Sequence, residues 1–172
     1  HSLALAADGS IVSWGRNDYG QVSNTPIGTG FTAIAGGGIH SLALAADGSI
    51  VSWGNDGNGQ VSNTPTGTGY TAIAGGAADG LALAADGSIV SWGLDGSRQV
   101  SNTPMDAGHT AIAGGWVHSL ALAVDGSIDL VDLVQEVCSG HVLEEQGALS
   151  VPVTFMFIPD EEIGSPSTRA LI

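Results

Sequence analysis

An all-β repeat array with a short mixed α/β tail is the fold class that the sequence predicts, and three observations carry it. A 39-residue unit, HSLALAADGSIVSWG followed by a polar loop and QVSNTP…TAIAGG, runs from His1, His40 and Asp79 and begins again at His118. Self-similarity at such a period means blades or solenoid turns that bury their core against neighbouring copies. Apolar residues within each copy alternate with period two, and Asp-Gly pairs interrupt them. After Ile128 the repeat stops, since Asp129, Leu130 and Val131 stand where Val-Ser-Trp is expected, so residues 129–172 read as an unrelated tail.

The elements of one unit follow in order. From Ser41 to Ala45 the leucines Leu42 and Leu44 point to one face and Ala43 and Ala45 to the other, the pattern of a strand held between two neighbours. Asp47-Gly48 closes this run as a hairpin, for which a type I′ turn is expected because Asp and Gly tolerate positive φ. Ile50 to Trp53 is the return strand, and Trp14, Trp53 and Trp92 mark its end in successive copies. The stretch rich in Asn, Thr, Pro and Gly between Gly54 and Tyr70 is a loop, and Thr71 to Ala74, ahead of Gly75-Gly76, supplies a further strand. Each unit therefore holds about three strands and no helix.

Composition sets further bounds. The net charge is -14, with Arg16, Arg98 and Arg169 as the basic residues and no lysine, so phosphate backbones are repelled and nucleic acid is excluded as a partner. No run of about 18 apolar residues is present, which excludes a membrane-spanning helix. Cys138 stands alone and cannot form an internal disulfide. The chain opens in mid-repeat and its methionines are Met105 and Met156, so it reads as a fragment whose compartment is unknown; the acidic, lysine-free surface favours an extracellular or cell-surface setting.

The string GG-x-x-HSLALAADGSIVSWG-x-[ND]-x-x-GQ resembles the repeat of the regulator of chromosome condensation superfamily, and the resemblance covers about residues 1–128. It implies a partial β-propeller of three-stranded blades, since the family's members are seven-bladed rings and three blades with a fraction cannot close one. Asp79-Gly80 in place of His-Ser, and Arg98 where Gly20 and Gly59 stand in the other copies, mark the third unit as degenerate. Nucleotide exchange on a small GTPase, known within the family, finds no support in these loops and is not carried over.

The candidate binding surface is the variable loop after each Trp-Gly, represented by Asn17, Asp18, Tyr19, Asp56, Asn58, Asp95 and Arg98. Variable loops on a constant frame are where binding is usually built, although ordinary Asx and Gly turns would give the same residues. His40 and His118 sit at one repeat position that Asp79 also occupies, which favours a structural role over metal ligation. The partner is a protein or small ligand, and open blade faces predict self-association.

The tail carries two more echoes. Asp125 to Asp132 is similar to the second half of a calcium loop, but Ala121 and Ala123 fall where the first ligands belong, so calcium binding is not expected. Leu130, Leu133, Val134 and Val137 have the spacing of a short amphipathic helix that would reach Cys138. About residues 142–172, with SVPVTFMFIPDEEIGSPSTRALI as the main part, resemble the zinc-dependent exopeptidase and deacylase family that includes aminoacylase, carboxypeptidases and acetylornithine deacetylase. That resemblance implies a strand ending at Pro159, Glu161 as general base and Glu162 as metal ligand. The rest of a two-metal site has no counterpart here, so no cofactor is expected, with zinc only if the missing peptidase parts were present. The chain then reads as a chimera that is not an enzyme as it stands, whose repeats present loops for binding. A hydrolase with an appended repeat region and a cell-surface structural array are the alternatives.

Overall fold

A computed structural model describes residues 1–131, which belong to a compact unit spanning His1–Ser139; a second unit, Gly140–Ile172, lies outside the described residues. Among the described residues the structure is β throughout, with turns and no helix. The first blade holds β1 (Ser2–Leu5) and β2 (Ile11–Trp14), and the second holds β3 (Phe31–Gly36), β4 (His40–Ala45) and β5 (Ile50–Gly54). The third is β6 (Tyr70–Gly75), β7 (Asp79–Ala84) and β8 (Ile89–Gly93). The fourth is β9 (His109–Gly114), β10 (Ser119–Ala123) and β11 (Ile128–Val131). The first blade is a two-stranded antiparallel hairpin, and each of the other three is an antiparallel meander with the middle strand paired on both sides.

The sequence unit and the blade are out of phase by one strand. The run from Thr71 to Ala74 pairs forward, with Ile73 opposite Ala82 and Gly75 opposite Gly80, so it opens the third blade instead of completing the second. The fourth blade also runs further than the resemblance, because Leu130 pairs with Leu120 and Val131 with Ser119. Leu130 and Val131 are thus strand residues; the remainder of the expected helix, through Cys138, lies outside the described residues.

The Asp-Gly hairpins form, but not as type I′ turns. Gly48 has φ of 80°, while Arg98 is the sole non-glycine with positive φ among the described residues, so Asp47 stays on the ordinary side. The Gly48 N–H donates to the Ala45 carbonyl (3.0 Å) and the Ala45 N–H to the Ser49 carbonyl (2.9 Å), a type I turn followed by one left-handed glycine. The reason is local: Asp47 Oδ1 accepts from the Ser49 N–H (2.9 Å) and hydroxyl (2.7 Å), which holds the carboxylate over the turn. Asp125 makes the same pair of bonds to Ser127, so the segment that echoes a calcium loop is the fourth hairpin.

The core lies between blades. One cluster joins Leu42, Leu44 and Ile50 of the second blade to Ala82 and Trp92 of the third, and another joins Leu81, Leu83 and Ile89 of the third to Ala121 of the fourth. Small residues on one face let the sheets approach: a Cβ on Gly75 would lie 3.0 Å from the Gly36 backbone, and one on Gly114 would lie 2.6 Å from the Gly75 carbonyl oxygen. Backbone bonds follow from this closeness, with the Gly38 N–H donating to the Ala77 carbonyl (3.1 Å) and the Ala77 N–H to the Gly115 carbonyl (3.2 Å). Burial of a leucine in such a core contributes about 1.5–3 kcal/mol, so neighbouring blades are the main source of each blade's stability. Exposure differs along the array, since Trp14 of the first blade and Ile128 of the fourth are each 51% exposed whereas Trp53 and Trp92 are 4% exposed.

Candidate binding loops

The meander fixes where the loops fall. The Asn55 N–H donates to the Ile39 carbonyl (2.9 Å) and the Leu94 N–H to the Ala78 carbonyl (2.9 Å), which sets the start of each loop beside the Gly-Gly turn. The loop then returns to the opposite edge, where the Tyr70 N–H reaches the Gly48 carbonyl (3.2 Å) of the Asp-Gly hairpin. A rigid frame thus anchors both ends of every loop.

Three of the candidate residues build the loop itself. Asn17 Oδ1 accepts from the backbone N–H groups of Val22 and Ser23 (both 2.9 Å). Asp56 Oδ1 does the same for Val61 and Ser62 (2.9 and 2.8 Å), and Asp95 Oδ1 for Val100 and Ser101 (2.9 and 2.8 Å). The bonds from Ser62 and Val61 hold the Asp56 carboxyl below its usual range, and that from Ser101 does so for Asp95. These side chains are spent on the turn, as the Asx-turn alternative expects. What remains at the surface is Asp18, tied to Arg16 (2.6 Å), together with Tyr19, Asn58 and Arg98. Arg98 adopts φ of 61° where Gly20 and Gly59 have 81° and 78°, so the third loop keeps the left-handed bend without the glycine that suits it.

Sequence reasoning missed the glutamines. Gln21, Gln60 and Gln99 are fully buried, and their Oε1 atoms accept from the N–H groups of Tyr19 (2.9 Å), Asn58 (2.7 Å) and Ser97 (2.8 Å). The Trp53 indole N–H donates to the Gln21 carbonyl (2.9 Å) and the Trp92 indole to the Gln60 carbonyl (3.0 Å), so each tryptophan seats the loop of the preceding blade. The only signal was the constancy of Gln-Val-Ser-Asn-Thr-Pro beside loops that change.

The repeat-histidine position lies inside the blade joints. His1 Nε2 is 2.8 Å from the Ser41 hydroxyl of the next blade. His40 would meet residue 80, which is glycine, and both its ring nitrogens are buried without a hydrogen-bond partner; burial lowers its pKa to about 4. Asp79 is buried with neither carboxylate oxygen partnered, and burial raises its pKa to about 6. Among the described residues no cluster of three His, Cys, Asp or Glu side chains could hold a metal. Glu161 and Glu162 lie outside the described residues.

Comparison with known proteins agrees with this architecture. The family model described as the regulator of chromosome condensation (RCC1) repeat matches residues 1–21 and 31–60. Those residues are thus similar to the RCC1 repeat, and the fold is that of a partial β-propeller. The CRINKLY WD40 ectodomain of the Arabidopsis thaliana receptor kinase ACR4 superimposes with a TM-score of 0.65 at 25% identity, over 76% of this chain and 47% of that one. Prp20p of Saccharomyces cerevisiae gives 0.64 at 21% identity, over 74% and 42%, and yeast RCC1 (Prp20) in its complex with Kap60 gives 0.61 at 22%, over 74% and 40%. The chain therefore spans less than half the length of these structures. No curated protein matches it. Among the described residues no helix is long and apolar enough to cross a membrane.

Proposed function

We propose that the RCC1-like repeats are a non-catalytic scaffold that binds a protein partner through the loops following each Trp-Gly. The observation that carries this reading is a division of labour. Positions 17, 56 and 95 and the buried glutamines hold the loop shape, while Arg16, Asn55 and Leu94 differ at one neighbouring position and Tyr19, Asn58 and Ser97 at another. Constant framing with changing tips supports recognition of an extended protein surface. The net charge of -14 favours a basic partner. Prp20p of yeast is described by its binding to Gsp1p and histones, which supports protein binding as the use of such a scaffold. An extracellular or cell-surface setting fits the acidic, lysine-free composition.

The test is a titration of the labelled chain with core histones as a basic protein probe and with an acidic protein as control. Saturable binding of the basic probe, weakened at least about tenfold in Tyr19→Ala/Asn58→Ala/Arg98→Gly, supports the reading. Equal binding by that variant, or no saturable binding of the basic probe, refutes it. A second reading, in which the chain is part of a zinc-dependent hydrolase with Glu161 as base and Glu162 as ligand, rests on about residues 142–172 alone.

A further inference from the structure

The fourth blade departs from its siblings at two places that meet. Its first strand opens with His109 where the second and third blades have Phe31 and Tyr70, and its third strand holds Asp129 where they have Val51 and Val90. The His109 ring is buried; Nδ1 lies 3.1 Å from the Gly87 carbonyl oxygen of the third blade's hairpin, and Nε2 lies 3.1 Å from Asp129 Oδ2. A carbonyl and a carboxylate can only accept, and a neutral imidazole carries one N–H, so both bonds form only with the doubly protonated ring. Main-chain bonds from Phe31 to Gly9 (3.2 Å), Tyr70 to Gly48 (3.2 Å) and His109 to Gly87 (3.0 Å) join every pair of blades. The side-chain bridge is added at the last joint.

We infer that His109 is a proton-operated staple that ties the third blade's hairpin to the outer strand of the fourth blade and lets one of the two go when it deprotonates. The charged groups around the ring are Asp129 on β11 and Asp106 in the loop before β9. Asp86, beside Gly87, and Asp125, in the fourth hairpin, accept from Ser88 and Ser127 and are committed to their own turns. Burial opposes a charge on the ring, but the bonds to Asp129 and Gly87 and the two carboxylates outweigh it, so the His109 pKa is raised above its ordinary value. With the folded-state value raised, the staple contributes fully below the unfolded histidine value of about 6.5 and is lost as pH rises through the folded one.

The experiment is hydrogen exchange of the full chain followed by mass spectrometry between pH 5.5 and 8.5, reading backbone amides of β9 to β11 and slow deuteration at the imidazole Cε1 for the ring's own titration. Expected are a ring that titrates above the ordinary histidine range and, after correction for intrinsic exchange, local opening of β11 roughly tenfold more frequent at pH 8.5 than at 5.5. Asp129→Asn should return the ring toward the ordinary value. His109→Phe/Asp129→Val, which copies the second blade and so keeps a packing the fold already uses, should make the opening independent of pH. A ring that titrates at or below the ordinary value, no response to Asp129→Asn, or the same pH dependence in the double variant overturns the inference.

Discussion

Replacing Asp79 by asparagine should make the chain more stable at neutral pH, against the usual expectation for removing a buried polar residue's native identity. The carboxylate is buried in the joint between blades with no hydrogen-bond partner on either oxygen, and burial raises its pKa from 3.8 to about 6. A shift of that size corresponds to about 3 kcal/mol of cost carried by the charged form at pH 7.5, at 1.36 kcal/mol per unit. The sign follows from linkage: a folded-state value above the unfolded one means that the folded chain holds the proton more tightly, so stability is intact below about 3.8 and is lost as pH rises through about 6. Asparagine keeps the shape and removes the charge, leaving the cost of an unpaired amide of about 1 kcal/mol, so a net gain of about 2 kcal/mol is expected at pH 7.5 and a small loss, under about 1 kcal/mol, at pH 3.5. His40 has the opposite dependence, because its lowered value costs stability as pH falls from 6.5 through about 4, and it is neutral at pH 7.5. Urea denaturation at pH 7.5, 5.5 and 3.5 reads the difference, with a midpoint rise of about 1 M at the highest pH for a slope near 2 kcal/mol/M. A variant that is no more stable at pH 7.5, or whose advantage is the same at all three values, refutes the placement of a charged, unpartnered carboxylate.

Four further outcomes are expected. Trp92→Phe removes the donor to the buried Gln60 carbonyl and should cost about 2–4 kcal/mol in denaturation, whereas Trp14→Phe, at an exposed indole, should cost under about 0.5. Gly114→Ala places a methyl 2.6 Å from the Gly75 carbonyl oxygen and should lower the melting temperature by several degrees, about 2 kcal/mol or more, while Gly57→Ala, facing only the Asn55 side chain, should be nearly neutral. Light scattering at micromolar concentration should show self-association, weakened by Leu122→Asp/Ile128→Asp at two exposed apolar residues of the fourth blade; a monodisperse monomer contradicts it. Supplied with zinc or cobalt, the chain should hydrolyse no N-acyl amino acid or dipeptide, and turnover that vanishes in Glu161→Gln would show a working site in the tail.

Period and turn chemistry made most of the fold legible. Leu42 and Leu44 against Ala43 and Ala45, closed by Asp47-Gly48, specify a hairpin whose two faces differ, and the structure buries Leu42, Ala43 and Leu44 and half-buries Ala45. The phase of the blade was not legible, because period two says that Thr71 to Ala74 is a strand without saying which hairpin it joins. The pairing of Ile73 with Ala82 and of Gly75 with Gly80 settles that, and it is a contact between units. Gln21 and Gln60 were invisible for a related reason. Their value comes from a carbonyl 32 residues before an indole, a distance at which a polar residue in a loop reads as solvated.

The exceptions to the repeat carry information that the repeat itself cannot. A constant residue such as Gln60 is explained by the frame, since the same bond is needed at every joint. His109 and Asp129, 20 residues apart, both break the pattern: a polar ring is buried where Phe31 and Tyr70 stand, which would be costly alone, and a half-exposed carboxylate takes a strand position held elsewhere by valine. Together they satisfy each other, which argues that β11 belongs to this blade although its sequence has left the repeat. Asp79 and Gly80 also break the pattern, on the middle strand of the third blade, but the side chains of His40 and Asp79 are left without hydrogen-bond partners. Departures of both kinds therefore gather where the third blade meets its neighbours, the satisfied pair tightening one edge of the fourth blade and the unsatisfied pair loosening the interior.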